Sequence, residues 1–534
     1  MTVTLRSLRA PLAIVLLQFL SGCEDSPTPS TPDAGPYVWD GTYTELEDHG
    51  DWEDPGPLAP CSSSAVGGQV GACDDLSLFD LSQCDSQALS AIPPEGIYLS
   101  DGRGERQLAD GGVSITSVPI GFLLNEDGGT MFDEPLRLKE TQGGRFSLIG
   151  RLTRSDLTVS VVGCKTPAPN VITGCFAYCR RGRLSLKGTF EAHRVALSTG
   201  EPESSGGLNL VSERFVPVGL PADIYVAKGH AYVVSLPDKG RAGGLTVIDV
   251  RTPTAPVVTT TITLPEDNSW NGVWAKGDAL YVASNGTGPI VYDITNPALP
   301  TFVKSLPTGD FGAHTVLVDN DRLYAMVPNT GTHVYDLTEP LNPILRTIIS
   351  LPEDAELGGP HDAFAYENRL YISSSFGGYN VVDVTNLDNV SRLGRYERSM
   401  DEYAHHSAVG TFGGKTIAFE GGEFNASHVR VLDVTNPSRI VKIGEFRMRK
   451  VTSMHNLILR GNLLYVAWYH EGLRVLDVSN PTKPRQVAHH HTFREGDPFR
   501  GDSIFEGAFG VRIPGDGYVY VVDSSRGLLI FNEL

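Results

Sequence analysis

The C-terminal part of the chain repeats one pattern of apolar and polar positions. The recurring motif has a strand ending in residues of the Tyr-Val type, a Gly-rich turn, and a second apolar strand that ends in Asp and, in the clearest copies, is followed by Thr or Ser, Asn and Pro. These second strands end at Asp249, Asp293, Asp336, Asp383, Asp433, Asp477 and, in a degenerate copy, Asn532. Successive ends are 44, 43, 47, 50, 44 and 55 residues apart. This period is typical of a four-stranded β-propeller blade, and seven copies predict a closed ring of seven blades.

The pattern also predicts how the ring closes. The last copy stops after its third strand, whereas residues 208–218 precede the first copy and end in a run that is similar to an outer strand. We predict that this segment completes the final blade, so that the propeller spans residues 208–534. The recurring Asp stands at a strand-to-turn junction, where a carboxylate accepts backbone N–H bonds, and we predict a structural role for it.

The repeat has a recognisable sequence form. Strands of the Leu-Val-Ile-Val-Asp type followed by Val-Thr-Asn-Pro, as at residues 429–437, resemble the LVIVD repeat of bacterial and archaeal cell-surface and secreted proteins. The resemblance covers residues 208–534 and implies a β-propeller. It implies no catalytic residues, because propellers serve binding, scaffolding and catalysis alike.

A second unit precedes the repeats. Residues 146–152 and 157–161 alternate apolar and polar positions with a period of two, and the short link between them predicts an antiparallel hairpin. Residues 183–190 predict a further strand. We therefore predict an all-β protein, a seven-bladed β-propeller preceded by a small disulfide-bonded antiparallel β domain at residues 61–200, a sandwich or barrel, with residues 201–207 as a linker.

The cysteines support export from the cytoplasm. Apart from Cys23, the chain has six, all before residue 180: Cys61, Cys73, Cys84, Cys164, Cys175 and Cys179. An even number confined to one region predicts three disulfides, and the sequence leaves all fifteen connectivities open. A zinc site is the alternative, although the chain has no Cys-x-x-Cys pair.

The N-terminal sequence predicts the location of the protein in the cell. Arg6 and Arg9 precede an apolar run at residues 11–20, which is too short to span a bilayer but is typical of a signal-peptide core. The following Leu-Ser-Gly-Cys sequence resembles the lipobox of bacterial lipoproteins, which implies a signal peptide at residues 1–22 and lipidation of Cys23. An ordinary secretory signal is the alternative. We expect a lipid-anchored protein of the cell envelope, at the outer membrane or cell surface of a Gram-negative bacterium, that contacts the membrane only through its lipid.

Charge and composition change two points of this interpretation. Residues 24–60 contain ten acidic residues, seven prolines and no Lys or Arg, which predicts that residues 23–60 form an extended tether. Trp39 and Trp52 leave a short docking motif as the alternative. The net charge of −20 would repel phosphate backbones and excludes nucleic acid as a partner.

Histidines recur at one position of the repeat. Counting back ten residues from the repeat tyrosines Tyr324, Tyr371 and Tyr465 leads to His314, His361 and His455, and His406 lies close to this position in the fifth copy. This position starts the innermost strand of a blade, at the mouth of the central channel. His314, His361, His406 and His455, with a carboxylate such as Glu402 or Asp362, are therefore candidate ligands of a transition metal or candidate acid–base groups. The alternative is that each His binds the backbone of a neighbouring blade.

The same face carries the longest insertions, residues 398–406 and 489–508, and insertions on one face of a repeat protein mark its binding face. The candidate ligand-binding rim there consists of Phe376, Tyr379, Trp468, Tyr469 and His470, with Glu423 and Phe424 also available. Packing of these side chains on neighbouring loops is the alternative.

Three function classes follow from these features. The favoured one is a lipid-anchored envelope protein whose propeller is a binding or scaffold module for an envelope or extracellular protein or for a small ligand. The second is a hydrolase or oxidoreductase that uses the histidine-lined channel mouth, with a transition metal as its cofactor. The third is a purely structural surface protein.

Overall fold

Alternating apolar residues form the N-terminal sheet in the computed structural model, which describes residues 37–90, 95–196, 200–351, 356–398 and 402–534. Its strands are β1 (Ser62–Ser63), β2 (Phe79–Asp80), β3 (Gly96–Gln107), β4 (Val113–Asn125), β5 (Gly128–Met131), β6 (Glu134–Pro135), β7 (Leu138–Glu140), β8 (Ser147–Leu152), β9 (Leu157–Lys165), β10 (Val171–Arg180) and β11 (Arg183–Arg194). β1 pairs with β2, and the other nine form one antiparallel sheet in the order β6-β5-β4-β3-β11-β10-β9-β8-β7. The predicted signal peptide and Cys23 lie outside the described residues.

The nine-stranded sheet curls until its two ends meet. A Cβ atom at Gly150 on β8 would lie 2.7 Å from the Cβ of Met131 on β5, although five strands separate β5 from β8 in the sheet. Glycine at this position therefore allows the close approach that closes the sheet. The enclosed core contains Tyr98, Phe122 and Phe176, all fully buried. The prediction of a small antiparallel β domain is confirmed.

All six predicted cysteines are paired in this unit. The disulfides are Cys61–Cys175, Cys73–Cys179 and Cys84–Cys164. They attach the loop-rich segment before β3, with its one-turn helix α1 (Ser86–Leu89) and the 3₁₀-helix Leu76–Leu78, to β9 and β10. The alternative of a cysteine zinc site is wrong, because every one of these thiols is bonded. Among the residues that the structure describes, no helix is long and apolar enough to cross a membrane.

Seven antiparallel sheets form the propeller: six have four strands, and the sheet of blade 6 has five. Blade 1 comprises β14 (Leu220–Ala227), β15 (His230–Leu236), β16 (Gly244–Asp249) and β17 (Val257–Ile262). Blade 2 comprises β18 (Trp270–Lys276), β19 (Ala279–Ser284), β20 (Gly288–Asp293) and β21 (Thr301–Ser305). Blade 3 comprises β22 (Thr315–Asp319), β23 (Arg322–Val327), β24 (Gly331–Asp336) and β25 (Ile344–Ile349). Blades 4 and 5 comprise β26 (Asp362–Tyr366), β27 (Arg369–Ser373), β28 (Tyr379–Asp383), β29 (Ser391–Tyr396); and β30 (Tyr403–Phe412), β31 (Lys415–Glu423), β32 (Val429–Asp433), β33 (Val441–Phe446). Blades 6 and 7 comprise β34 (Leu457–Arg460), β35 (Leu463–Trp468), β36 (Gly472–Asp477), β37 (Arg485–His490); and β38 (Ala508–Arg512), β39 (Tyr518–Asp523), β40 (Gly527–Asn532). A 3₁₀-helix, Pro437–Arg439, precedes β33.

The ring closes as the sequence predicts. The strand β13 (Leu210–Arg214) pairs antiparallel with β40 and supplies the outer strand of blade 7. The recurring aspartates also have the predicted role: Asp293, for example, accepts a 2.7 Å hydrogen bond from the backbone N–H of Thr295. Equivalent bonds form at Asp249, Asp336, Asp383, Asp433 and Asp477.

The segment expected to be a linker is part of a blade. Strand β12 (Ser204–Ser205) pairs with β37 and extends blade 6 to five strands. Within the same segment, Glu201 accepts a 2.8 Å hydrogen bond from buried Arg474. Residues 201–207 therefore hold blade 6 rather than merely connecting two domains.

The expectation of an extended tether is wrong for residues 38–60, which we call the acidic strap. Trp39 is buried against Phe412 of blade 5, and the N–H of Leu46 donates a 2.8 Å hydrogen bond to the carbonyl of Lys442. At the other end, the indole of Trp52 donates a 2.9 Å hydrogen bond to Asp101 of the sheet domain. Glu45, Asp48 and Asp51 of the strap are bound by basic residues of blade 5, so the docking alternative describes this segment. The composition of the segment alone did not show these partners.

Candidate functional site

Four histidines at the starts of innermost strands lie side by side. The ring centroids are 4.2 Å apart for His314 and His361, 4.4 Å for His361 and His405, and 4.2 Å for His405 and His455. We call this set the histidine row. It brings together three of the four sequence-predicted histidines, from blades 3, 4 and 6, with one that the prediction missed.

His405, and not His406, occupies the repeat position in blade 5. In blade 3, Leu317 pairs with Tyr324, seven residues further on, whereas in blade 5 Ala408 pairs with Phe419, eleven residues further on. In both blades the row histidine precedes the inner residue of that pair by three positions. The blade 5 hairpin is thus four residues longer. A count of ten residues back from the second strand therefore does not reach its histidine.

His406 and the predicted carboxylate Asp362 line a cavity of about 70 Å³ in the central channel, together with His361, His405 and His455 of the row. The Nε2 of His406 is 3.8 Å from an oxygen of Asp362. Burial raises the pKa of Asp362 to about 8 and lowers that of His406 to about 3. Arg512, which lies 4.4 Å above the ring of Trp274, supplies a positive charge on the same cavity wall.

The members of the row differ in their hydrogen bonds. Nδ1 of His455 lies 3.0 Å from the carbonyl oxygen of Phe509, and Nε2 of His314 accepts from the amide of Asn271 at 3.1 Å. In contrast, neither ring nitrogen of His405 has a hydrogen-bond partner among the described residues. The alternative of backbone binding therefore describes His455 but not His405. Burial lowers the pKa of His314 to about 4 and that of His455 to about 3, so these rings are neutral at pH 7.

Glu423, at the end of β31, is the carboxylate beside the row. Its oxygens lie 3.8 Å from Nε2 of His405 and 3.9 Å from Nε2 of His455. The hydroxyl of Tyr469 donates a 2.5 Å hydrogen bond to it, and burial raises the pKa of Glu423 to about 7. The other predicted carboxylate, Glu402, instead binds Arg430 at 2.9 Å. The longer blade 5 hairpin carries both His405 and Glu423. Its extra length is visible in the sequence and could have located both residues.

Above the row lies a larger cavity of about 430 Å³, which we call the outer pocket. Its walls come from the acidic strap, from β4 of the sheet domain, and from loops of blades 4 and 5. Phe376 and Phe424 face each other there with ring centroids 6.4 Å apart, and each is 37% exposed. Trp52 and Glu423 also line it, and none of its described lining residues is Lys, Arg or His.

Most of the predicted rim is buried. Phe376 lines the outer pocket, and Tyr469 contributes through its bond to Glu423. Tyr379 and Trp468 lie inside blades, fully buried, because strands that are packed between neighbouring blades are apolar on both faces. His470 is buried against Phe493, with ring centroids 4.6 Å apart. Exposure at Tyr379, Trp468 and His470 was therefore wrongly predicted.

Comparison with known proteins gives the repeat a name. The family model of the LVIVD repeat matches residues 269–308 and 453–492, within blades 2 and 6. The chain therefore contains LVIVD repeats, and it folds as a seven-bladed β-propeller. No curated protein matches it.

Solved structures with likeness to this chain share little sequence with it. The WD40 β-propeller domain of Doa1 is 12% identical, with 61% of this chain and 98% of that chain covered and a TM-score of 0.45. The computationally designed Ika8 protein is 9% identical, with 61% and 100% covered and a TM-score of 0.41. YCF48 bound to a D1 peptide is 10% identical, with 63% and 99% covered and a TM-score of 0.41.

The insertion at residues 489–508 of the LVIVD-repeat propeller binds the chain's own sheet domain. The carboxylate of Asp502 accepts hydrogen bonds from the N–H of Leu123 at 3.1 Å, from the hydroxyl of Thr130 at 2.7 Å and from the N–H of Asp133 at 2.6 Å. Asp502 is fully buried by these contacts. The insertion therefore fixes the sheet domain on the face that carries the outer pocket.

Proposed function

We propose that this LVIVD-repeat propeller protein is a lipid-anchored binding module of the cell envelope, and that the outer pocket is its ligand site. The β-propeller fold suggests a binding or scaffold module. The three disulfides are typical of proteins that fold outside the cytoplasm. The lipobox-like sequence ending at Cys23 supports the anchor.

The ligand that fits the outer pocket best is a small organic cation. The observation that carries this proposal is the combination of the facing rings of Phe376 and Phe424 with a pocket whose described walls include several carboxylates and carry no basic side chain. Aromatic faces attract cations, and the attraction is stronger in a desolvated site. A volume of about 430 Å³ is sufficient for a ligand with a dozen or so heavy atoms.

The ligand proposal is tested with choline and its uncharged isostere 3,3-dimethylbutanol, by titration calorimetry of the processed full-length protein. We expect choline to bind and the isostere to bind about fivefold more weakly, because only choline gains the cation–π attraction. Phe424→Ala should weaken choline binding about tenfold. Phe311→Ala is the matched control, since Phe311 is an exposed phenylalanine outside the pocket. Equal binding of the two probes, no binding of either, or equal effects of the two variants would refute the proposal.

The anchor is tested separately by Cys23→Ser. We expect the wild-type protein to fractionate with the outer membrane and to carry a lipid on its N-terminal cysteine, detected by mass spectrometry, and the variant to lose both. An unmodified cysteine on a mature protein that is free in the periplasm would support the ordinary secretory signal instead.

The enzyme alternative is favoured by one observation, the contact of Glu423 with the histidine row. Burial raises the pKa of Glu423 to about 7, within the range that suits general acid–base catalysis near neutral pH. The test is a screen of hydrolase and oxidoreductase substrates with Glu423→Gln as the comparison. Activity that this variant abolishes while it stays folded would replace the binding-module proposal.

A further inference from the structure

We infer that His361, His405 and Glu423 form a binding site for one divalent transition-metal ion, with His455 as a fourth ligand. One ligand atom from each of the first three residues lies within 4.8 Å of the others. Nε2 of His455 lies 3.9 Å from the same carboxylate. Imidazole nitrogens with a carboxylate oxygen are a donor set that suits Zn²⁺, Ni²⁺ and Cu²⁺.

The buried imidazole of His405 gives this inference its physical basis. The residue is 1% exposed, and both of its ring nitrogens lack a hydrogen-bond partner within the described part of the chain. Nδ1 of His361 is likewise without one. Burying a polar atom without a partner is costly, and a native fold rarely leaves several such atoms next to one another. A metal ion between these nitrogens would give them a partner.

Groups around the cluster orient its ligand atoms. The hydroxyl of Tyr469 donates to one oxygen of Glu423, and the other oxygen lies toward His405. Nδ1 of His455 is close to the carbonyl of Phe509, so the proton resides there and Nε2 is free to accept a metal. A hydrogen bond on the far nitrogen of a histidine is the usual way in which proteins orient a metal ligand.

The charge of the cluster also favours a cation. In the described residues, the ion-pair partners of Glu423 within 4 Å are His405 and His455, and no lysine or arginine lies that close to its carboxylate. An ion can reach the cluster from solvent, because Glu423 also lines the outer pocket.

A second histidine cluster in the chain already has a cationic partner. Glu201, His489 and His491 also place ligand atoms within 4.8 Å of one another. There, however, Arg474 already donates to Glu201 at 2.8 Å and lies 3.1 Å from Nδ1 of His491. The guanidinium provides the positive charge and the hydrogen bonds that a metal would otherwise provide, so we place the site in the row.

The test is metal binding by the processed full-length protein, purified with a tag that contains no histidine and stripped with a chelator. Titration calorimetry with Zn²⁺ should show one equivalent bound with high affinity. His405→Ala and Glu423→Gln should each weaken this binding at least about tenfold. His406→Ala and His489→Ala are the matched controls, one in the channel cavity and one in the second cluster, and should leave the affinity within about twofold.

Folding of each variant is checked by its circular dichroism spectrum and thermal unfolding. Should His405→Ala or Glu423→Gln fail to fold, the wild-type protein loaded with Cu²⁺ decides the matter by electron paramagnetic resonance. Hyperfine splitting from two or more nitrogen ligands supports the site, and a signal without nitrogen coupling overturns it. The inference is also overturned by the absence of Zn²⁺ binding, or by Zn²⁺ binding that is lost in His406→Ala or His489→Ala but kept in His405→Ala.

Discussion

A nitrogen of the Arg430 guanidinium lies 2.9 Å from an oxygen of Asp51, a residue 379 positions earlier in the chain. Both side chains are buried. Asp51 also lies 3.1 Å from Arg398 and 2.8 Å from a ring nitrogen of His428. The acidic strap is therefore locked to blade 5 by a buried cluster of charges. It reaches the sheet domain at the same end of the blade that carries Glu423 and the outer pocket.

Removing the carboxylate of Asp51 should release the strap. In Asp51→Ala, the buried guanidinium groups of Arg398 and Arg430 each lose one of their carboxylate partners, which costs about 3 kcal/mol. The free energy of local opening should fall by the same amount. We expect backbone amides of residues 46–52 to exchange with solvent about a hundredfold faster, measured by hydrogen–deuterium exchange with mass spectrometry.

Glu53→Ala is the matched control for that variant. Glu53 is an acidic residue of the same strap, but its side chain is 70% exposed. Exposed ion pairs contribute little, so exchange should change by no more than about twofold. Equal exchange in Asp51→Ala and the wild-type protein would mean that the strap does not depend on the charge cluster.

Acid should release the strap as well. Burial by itself raises the pKa of Asp48 and of Asp51, but the positive charge of Arg430 together with the other charges and hydrogen bonds around them outweighs burial and holds both pKa values well below the ordinary one. Lys442 and the hydroxyl of Tyr396 also face Asp48, and Arg398 and His428 face Asp51. A carboxyl whose pKa is lowered by folding stabilises the folded state above its unfolded pKa of about 4, and this contribution is lost as the pH falls below that value.

Two measurements between pH 7 and pH 2 test this prediction: the rate at which an acid-active protease cleaves the strap, and the thermal stability of the protein. Stability should be nearly constant from pH 7 to about pH 5 and should fall below about pH 4. In the double variant with Asp48→Asn and Asp51→Asn, thermal stability should fall less steeply with decreasing pH. An equally steep fall in the double variant would assign the acid sensitivity to other carboxyl groups.

The propeller could be predicted because its cause is local in the sequence. Each blade repeats the same apolar runs and the same Asp-fixed turn, so the period alone gives the number of blades, and β13 stands where the last copy lacks a strand. The paired cysteines were predicted for a similar reason, since an even number of cysteines in one region of a chain with a predicted signal peptide favours disulfide bonds. Their connectivity depends on which strands of the sheet are adjacent, and no spacing contains that information.

The candidate site could be predicted only in part, because it depends on contacts between distant segments. Three of the four row histidines follow from the repeat, whereas His405 is displaced by the longer hairpin of blade 5. The outer pocket needs Trp52, β4 and Phe424 together, and these come from three separate parts of the chain. The burial of Trp468 was not predicted, because it depends on the packing of a neighbouring blade. The local sequence around an aromatic residue at a strand end does not contain that information.

The disulfide connectivity is directly testable. Peptide mapping of the non-reduced protein should recover the pairs Cys61–Cys175, Cys73–Cys179 and Cys84–Cys164. Replacing both members of the last pair by Ser should destabilise the sheet domain by roughly 2–5 kcal/mol, because the bond closes a loop of 80 residues. Amide exchange should accelerate in β9, while exchange in blade 2 stays unchanged. Any other pairing in the map would contradict the structure.

The docking of the sheet domain on the propeller should depend on Asp502. In Asp502→Ala, the N–H groups of Leu123 and Asp133 and the hydroxyl of Thr130 lose their acceptor. Each buried donor left unpaired costs about 1–3 kcal/mol, so exchange in β4 and β5 should accelerate by at least tenfold. Arg494→Ala, which removes an exposed ion pair from the same insertion, should have little effect. Since the docked sheet domain supplies one wall of the outer pocket, Asp502→Ala should also weaken choline binding. Loss of docking with unchanged choline binding would mean that the propeller face alone holds the cation.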